Sequence, residues 1–264
     1  MLLLGHLHDL ERLELTNFYP GVFIDPAALM RSISQMPNLR DLELAVLPVL
    51  DLTPLSGLEY LTRLEIWGAY LSDNAGIYTL TNLEELVLHH VGDFDLAPIA
   101  QLPNLTTLWL GYNYITDISA LAGMTSLQWL ELSYNTELAD ISAVAGMTNL
   151  THLFIQGTSV TDLSPLAGLV NLELLDMEGL GIRDISVLAN AIALRQLFAC
   201  DNDIVDISPL SELQYLQILW LTHNQIRDIS PLAEMFGLRM LGLTGNRITD
   251  WSALTHLYET YTHR

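Results

Sequence analysis

Leucine recurs along the chain in the pattern LxxLxL, starting at Leu10, Leu39, Leu61, Leu83, Leu105, Leu127, Leu150, Leu172, Leu194, Leu216 and Leu238. Eight of the ten spacings are 22 residues; the others are 29 after Leu10 and 23 after Leu127, where Thr136 or Glu137 is inserted. Leucines at offsets 3 and 5 alternate with variable residues, so each unit opens with a short strand that buries one face and exposes the other. No single unit can bury that face alone. Units stacked in register form a parallel sheet over one leucine core, each fully buried Leu or Ile contributing roughly 1.5 to 3 kcal/mol. Eleven strands at about 4.8 Å spacing predict a curved slab on the order of 50 Å long.

Two polar ladders run through this pattern. Asn113, Asn135, Asn202, Asn224 and Asn246 stand at offset 8, where an amide can satisfy backbone groups of adjacent turns. Leu47, Ala69, Val91, Thr158 and Leu180 replace it elsewhere. Asp51, Asp73, Asp95, Asp117, Asp140, Asp162, Asp184, Asp206, Asp228 and Asp250 share a second slot in ten consecutive units. Each reads as the N-cap of a short turn, with Pro54, Pro98, Pro165, Pro209 and Pro231 three residues on, inside the first turn. The capping role already explains this carboxylate row without a calcium site. The longer unit over 10–38 contains Asp25-Pro26 followed by Leu29, Ile33 and Met36, the pattern of one amphipathic helix with its cap and N1 proline.

The unit LTTLWLGYNYITDISALAGMTS over 105–126 resembles those of the leucine-rich repeat family, specifically the bacterial internalin-like class with its ITDISPLAGLTNL turns. The resemblance covers nearly the whole chain. It implies an α/β solenoid: a horseshoe with a concave parallel β-sheet and mainly 3₁₀ turns on the convex side, a single domain over 1–264 of about eleven repeats. Partial repeats stand at both ends. Leu4, Leu7 and Leu10 match the spacing of Leu121, Met124 and Leu127, and Leu254 and Leu257 enter a twelfth unit; the expectation is a domain cut from a longer protein, with irregular ends as the competing explanation.

Composition narrows the function. The chain has 264 residues, 31 acids and 10 basic residues, a formal net charge of −21, and no lysine, since every basic residue is arginine. Lysine-dependent phosphate loops and Schiff-base chemistry are thereby excluded, and the acidic excess repels nucleic acid. No apolar run reaches the roughly 18 to 20 residues of a membrane helix, so membrane insertion is not expected. The opening MLLLGHLHDL lacks a basic flank and is a poor secretory signal. A lone Cys200 forbids an internal disulfide, which fits the cytosol and a disulfide-free secreted bacterial protein alike. The expected compartment is the cell surface or exterior if a longer chain carries a signal peptide, and the cytoplasm otherwise.

Strand positions at offsets 2, 4, 6 and 7 line the concave face, where sequence is free to encode a ligand. Offset 4 runs Glu14, Glu43, Glu65, Val87, Trp109, Glu131, Phe154, Asp176, Phe198, Trp220 and Gly242, a row of acids and large aromatics. Offset 2 adds Trp129 and His152, offset 6 adds Trp67 and His89, and offset 7 adds His90, Tyr112 and Tyr134. Four of the five tryptophans are thus expected to face solvent. Aromatics suit strands and stack across sheets, but contiguous exposed aromatic surface marks interaction sites. The expected function is non-enzymatic recognition of a protein partner by a monomer, without cofactor or metal, through Trp67, His89, Trp109, Tyr112, Trp129, Glu131, Tyr134, His152, Phe154, Asp176, Phe198 and Trp220. Glu43, Glu65, Glu131, Asp176 and Glu178 would favour a partner of basic or mixed surface. The resemblance implies a bacterial surface or secreted adhesin-like protein. An intracellular scaffold similar to the leucine-rich repeat regulator of type-1 protein phosphatase is the alternative, and carbohydrate binding on stacked tryptophans a third.

Catalytic readings are thinner. Cys200, Asp201 and His223 fall on adjacent units and carry the logic of a thiol hydrolase, but no oxyanion hole accompanies them. Glu43 and Glu65 would stand about 5 Å apart on neighbouring strands, in an open acidic row rather than a glycosidase cleft. His89 and His90 are adjacent in sequence and lack the spacing of a paired metal site.

Overall fold

The computed structural model describes residues 7–16, 25–45 and 48–255. Leu4, Leu47 and Leu257, assigned repeat positions above, lie outside the described residues. In chain order the regular elements are β1 (Arg12–Leu15), α1 (Pro26–Ile33), β2 (Asp41–Ala45), β3 (Val49–Asp51), β4 (Arg63–Trp67), β5 (Tyr70–Asp73), β6 (Glu85–His89), β7 (Thr107–Trp109), β8 (Trp129–Glu131), β9 (His152–Phe154), β10 (Leu174–Asp176), β11 (Gln196–Phe198), β12 (Ile218–Trp220) and β13 (Met240–Gly242). Eleven of these strands form one parallel sheet in simple succession, β1-β2-β4-β6-β7-β8-β9-β10-β11-β12-β13.

Register follows the repeat. Leu108 pairs with Leu130, Leu130 with Leu153, and Leu153 with Leu175, so each offset forms its own row across the sheet. The 29-residue spacing does not disturb this, because Leu13 still pairs with Leu42. The 23-residue unit also stays in step: Leu138 is fully buried while Glu137 is exposed, so the extra residue is absorbed in the turn before Leu138. Leu105, Leu108 and Leu110 are all fully buried, as are their counterparts in most repeats, in one continuous core.

On the opposite side the chain returns through ten short 3₁₀ segments among the described residues, from Thr53–Gly57 to Ser252–Leu254. Every aspartate of the ladder accepts a backbone N–H two residues on, at 2.7 to 2.9 Å. The N-cap position itself falls on a later, mostly apolar residue, such as Ile118 after Asp117. The aspartate therefore closes an Asx turn just ahead of the 3₁₀ segment instead of occupying the cap, a correction of one residue that preserves its role of satisfying an early N–H. In α1 the cap is as expected: Asp25 Oδ1 accepts from Ala27 and Ala28, with Pro26 following.

The asparagine ladder ties the two sides together. Asn113 Oδ1 accepts from Val91 N–H one repeat back, and its Nδ2 donates to the Leu88 and Leu110 carbonyls. Asn135, Asn202, Asn224 and Asn246 repeat the scheme with Ile115, Ile182, Ile204 and Ile226 as donors. One element lay beyond the repeat pattern: β3 and β5 pair as a separate two-stranded sheet beside α1.

Candidate partner-binding face

Alternation along each strand sends the offset-3 leucines inward and the offset-4 residues onto the concave surface. Parallel pairing then sets Val87 beside Trp109, Trp109 beside Glu131, Glu131 beside Phe154, Phe154 beside Asp176, Asp176 beside Phe198 and Phe198 beside Trp220. The expected row of acids and aromatics is thus brought into one line.

Around Trp109 the rings merge into one connected group. Trp109 stacks on Trp129 at 5.2 Å, and Trp129 stacks on His152 at 4.4 Å and meets Phe154 at 5.0 Å. On the other side Trp67 touches His89 at 4.5 Å, and His89 lies 5.9 Å from Trp109 and 6.1 Å from Tyr112. Tyr112 then stacks on Tyr134 at 4.4 Å and meets His90 at 4.9 Å. Phe198 and Trp220 lie in register beyond Asp176 and take no part in these ring contacts.

The rings are not equally open. Trp67, Tyr112 and Tyr134 are exposed, at 39, 43 and 40 %. Trp109, Trp129, Trp220, His152, Phe154, Phe198 and Asp176 are half-buried. Of the four tryptophans expected to face solvent, three are therefore only half open to it. His89 and Glu131, expected on the open surface, are buried. Their strand positions point outward, but the large rings of adjoining repeats close over them.

A shared backbone turn carries the tyrosines. The residue before the offset-8 slot adopts positive φ in nine successive repeats: Gly68, His90, Tyr112, Tyr134, Gly157, Gly179, Asp201, His223 and Gly245. The chain turns there to deliver the next side chain into the core, and the slot's own N–H bonds the following repeat, as in Tyr112 N–H to Ser133 O at 2.9 Å. Glycine occupies the slot freely, whereas an L-residue costs roughly 1 to 2 kcal/mol. Tyr112 (φ 58°) and Tyr134 (φ 60°) stand there against that preference, as do His90, Asp201 and His223. Such strain, held in place by surrounding structure, concentrates at functional sites. The glycines at 68, 157, 179 and 245 carried the signal for this slot in the sequence.

Charge is uneven along the face. At the β1–β4 end, Arg12 pairs with Glu14 and Asp41, and Arg63 pairs with Asp41, Glu65 and Glu85. Glu65 also accepts from Trp67 Nε1. Glu43 is held above the usual carboxylate range by burial and by Glu65 and Glu14. Beyond the rings, burial pushes Asp176 up to about 6, aided by Glu178 and Glu131 and opposed by the Glu178 N–H it accepts.

The candidate thiol site is assembled only in part. His223 Nδ1 lies 3.0 Å from Asp201 Oδ1, as the adjacent units imply. Cys200 is buried, and burial raises its thiol, the reverse of what an activated nucleophile requires.

A family model described as leucine-rich repeats in two copies matches residues 81–123, 103–146, 148–190 and 192–234. Among solved structures, an internalin (inlF) of Listeria monocytogenes is 31 % identical, covering 96 % of this chain and 73 % of that one with a TM-score of 0.83. Internalin C2 (inlC2) of the same organism is 37 % identical over 72 % of this chain and 83 % of that one, at a TM-score of 0.68. A leucine-rich repeat protein of Leptospira interrogans, 24 % identical over 96 % of this chain and 71 % of that one, shares the fold at a TM-score of 0.75. A search of curated proteins found no match.

Proposed function

Because the chain belongs to the leucine-rich repeat family, and within it is internalin-like, we propose that it captures a partner protein on its aromatic concave face. Leucine-rich repeat proteins are protein–protein interaction modules. The observation that carries the reading to this face is the connected ring system, in which exposed Tyr112 and Tyr134 occupy backbone slots that favour glycine. Aromatic side chains supply most hot-spot energy at interfaces. The acids Glu43, Asp176 and Glu178 beside the rings favour a partner with a basic or mixed surface and speed encounter at low salt. Likeness to Listeria internalins supports a bacterial surface or secreted adhesin-like role over an intracellular scaffold. The protein acts by binding, and the raised Cys200 thiol argues against hydrolysis at that corner.

The test separates binding from folding. Tyr112→Gly with Tyr134→Gly removes two exposed rings and relieves two strained slots, so the thermal midpoint is expected to stay within a few degrees of wild type. A photo-cross-linker at Gln156, beside the rings, is expected to trap a partner from target-cell surface extract, and the double variant is expected to lose that product at least tenfold. A cross-linker at exposed Ser186 on the turn side is the control. Trapping from Ser186 alone, or undiminished trapping by the double variant, sinks the reading.

A further inference from the structure

Where the chain leaves the sheet beside the exposed rings, one repeat departs from the pattern. Two positions after the left-handed slot, three successive units carry Tyr70, Gly92 and Tyr114. Tyr70 and Tyr114 are 56 and 76 % exposed and stand two strand spacings apart, about 10 Å, with the glycine between them. Glycine is required in that gap: Gly92 has φ 87°, and a Cβ there would meet the Tyr70 ring at 3.0 Å. The result is a cleft of about 260 Å³ lined by Tyr70, His90, Val91, Gly92, Tyr112 and Tyr114. It is smaller than the roughly 300 Å³ at which small-molecule pockets begin, and suits one long side chain of a larger partner.

The next residue supplies a charge. Three positions after the left-handed slot the other units bury an apolar side chain, as at Leu71, Ile115, Ile182, Ile204 and Ile226. Asp93 takes that position here and is exposed, while Phe94 packs against the core one residue later. The departure thus sets a carboxylate next to the glycine of the cleft. Among the described residues no hydrogen bond or ion pair engages Asp93. It borders an adjoining hollow together with Asp95 and Asp117, and no arginine lines either the hollow or the cleft.

Two other tyrosines of the chain show which group such a ring accepts. Arg40 Cζ lies 5.9 Å over the Tyr60 ring, and Arg195 Cζ lies 5.9 Å over the Tyr215 ring. Tyr70 and Tyr114 have no guanidinium over them among the described residues. A guanidinium stacks its plane on an aromatic face and forks onto a carboxylate, whereas an ammonium is a compact, strongly hydrated point charge. We propose that the cleft receives an arginine side chain of the partner, its stem between Tyr70 and Tyr114 and its guanidinium at Asp93. The proposal rests on the reading of this face as a binding surface, and narrows the partner to a protein that presents an exposed arginine.

The probe is arginine blocked at both ends, N-acetyl-arginine amide, titrated into the full chain at low salt while the tyrosine ring carbons are followed by NMR. Saturable shifts are expected at Tyr70 and Tyr114 and not at Tyr78, which is 54 % exposed and lies outside the cleft. The blocked citrulline amide keeps the shape and loses the charge, and is expected to bind about fivefold more weakly. Asp93→Asn, an exposed change that leaves the thermal midpoint in place, is expected to weaken arginine about threefold. Citrulline or the blocked lysine amide binding as tightly as arginine, shifts spread equally to Tyr78, or an affinity unmoved by Asp93→Asn overturns the proposal. The citrulline and lysine comparisons use the unaltered chain, so they decide even if the variant misfolds. No partner enters the measurement, so failure here with cross-linking still lost in the Tyr112, Tyr134 variant removes the arginine cleft alone.

Discussion

At the residue scale, position along the repeat explains most of the burial, and the exceptions are informative. Asp176 is one. Its carboxyl binds a proton more readily in the folded chain, at about 6 against 3.8, so the folded state holds the extra proton between those values. Stability attributable to this group therefore falls as pH rises from about 4 to 6. Asp176→Asn is expected to stabilise the protein at pH 7 by about 1 to 2 kcal/mol, discounted for partial exposure, and to have no effect near pH 4. Urea unfolding at the two pH values checks this; a destabilised variant at pH 7 contradicts it. The leucines at offsets 3 and 5 were legible in the sequence because strand alternation alone determines their side. The burial of His89 and Glu131 was not, since it arises from rings on neighbouring repeats, about one unit away, whose rotamers the pattern does not encode. The left-handed slot lay between these cases: four glycines marked it, but the tyrosines, histidines and aspartate sharing it obscured the rule.

At the element scale, three-residue strands are too short to hold a sheet by their own ladder, and the asparagines supply the missing connections. Asn224 accepts from Ile204 N–H and donates to the Ala199 and Leu221 carbonyls, spanning two repeats while buried. Asn224→Ala leaves those groups unpaired, and a loss of about 1 to 3 kcal/mol is expected in equilibrium unfolding, with partner capture by the distant rings unchanged. An unchanged unfolding midpoint would mean that water replaces the amide at no cost. The ladder was readable because its residue type and period coincide. The Asx turns were readable as caps and displaced by one residue, since an aspartate bonding two residues on and a true N-cap leave the same sequence signature. The β3–β5 pair was invisible, because it depends on how the long second unit seats α1 rather than on any repeated residue.

At the scale of the whole molecule, a net charge of −21 opposes the compact state through self-repulsion. Salt shortens the screening length from about 30 Å at 0.01 M to about 8 Å at 0.15 M, which weakens repulsion across the molecule more than close contacts such as Arg63 with Asp41 at 3.1 Å. The thermal midpoint is expected to rise across that range of sodium chloride; a fall would show that the Arg12 and Arg63 network outweighs the global field. Each strand pairs only with its sheet neighbours, and the same offsets stay aligned across units of 22, 23 and 29 residues. The sheet therefore behaves as a ruler graduated in strand spacings of about 4.8 Å. Excising one unit, residues 194–215, would bring Trp220 alongside Asp176 without altering either side chain. Reach between anchoring points could thus be changed in whole graduations, independently of the chemistry at each mark.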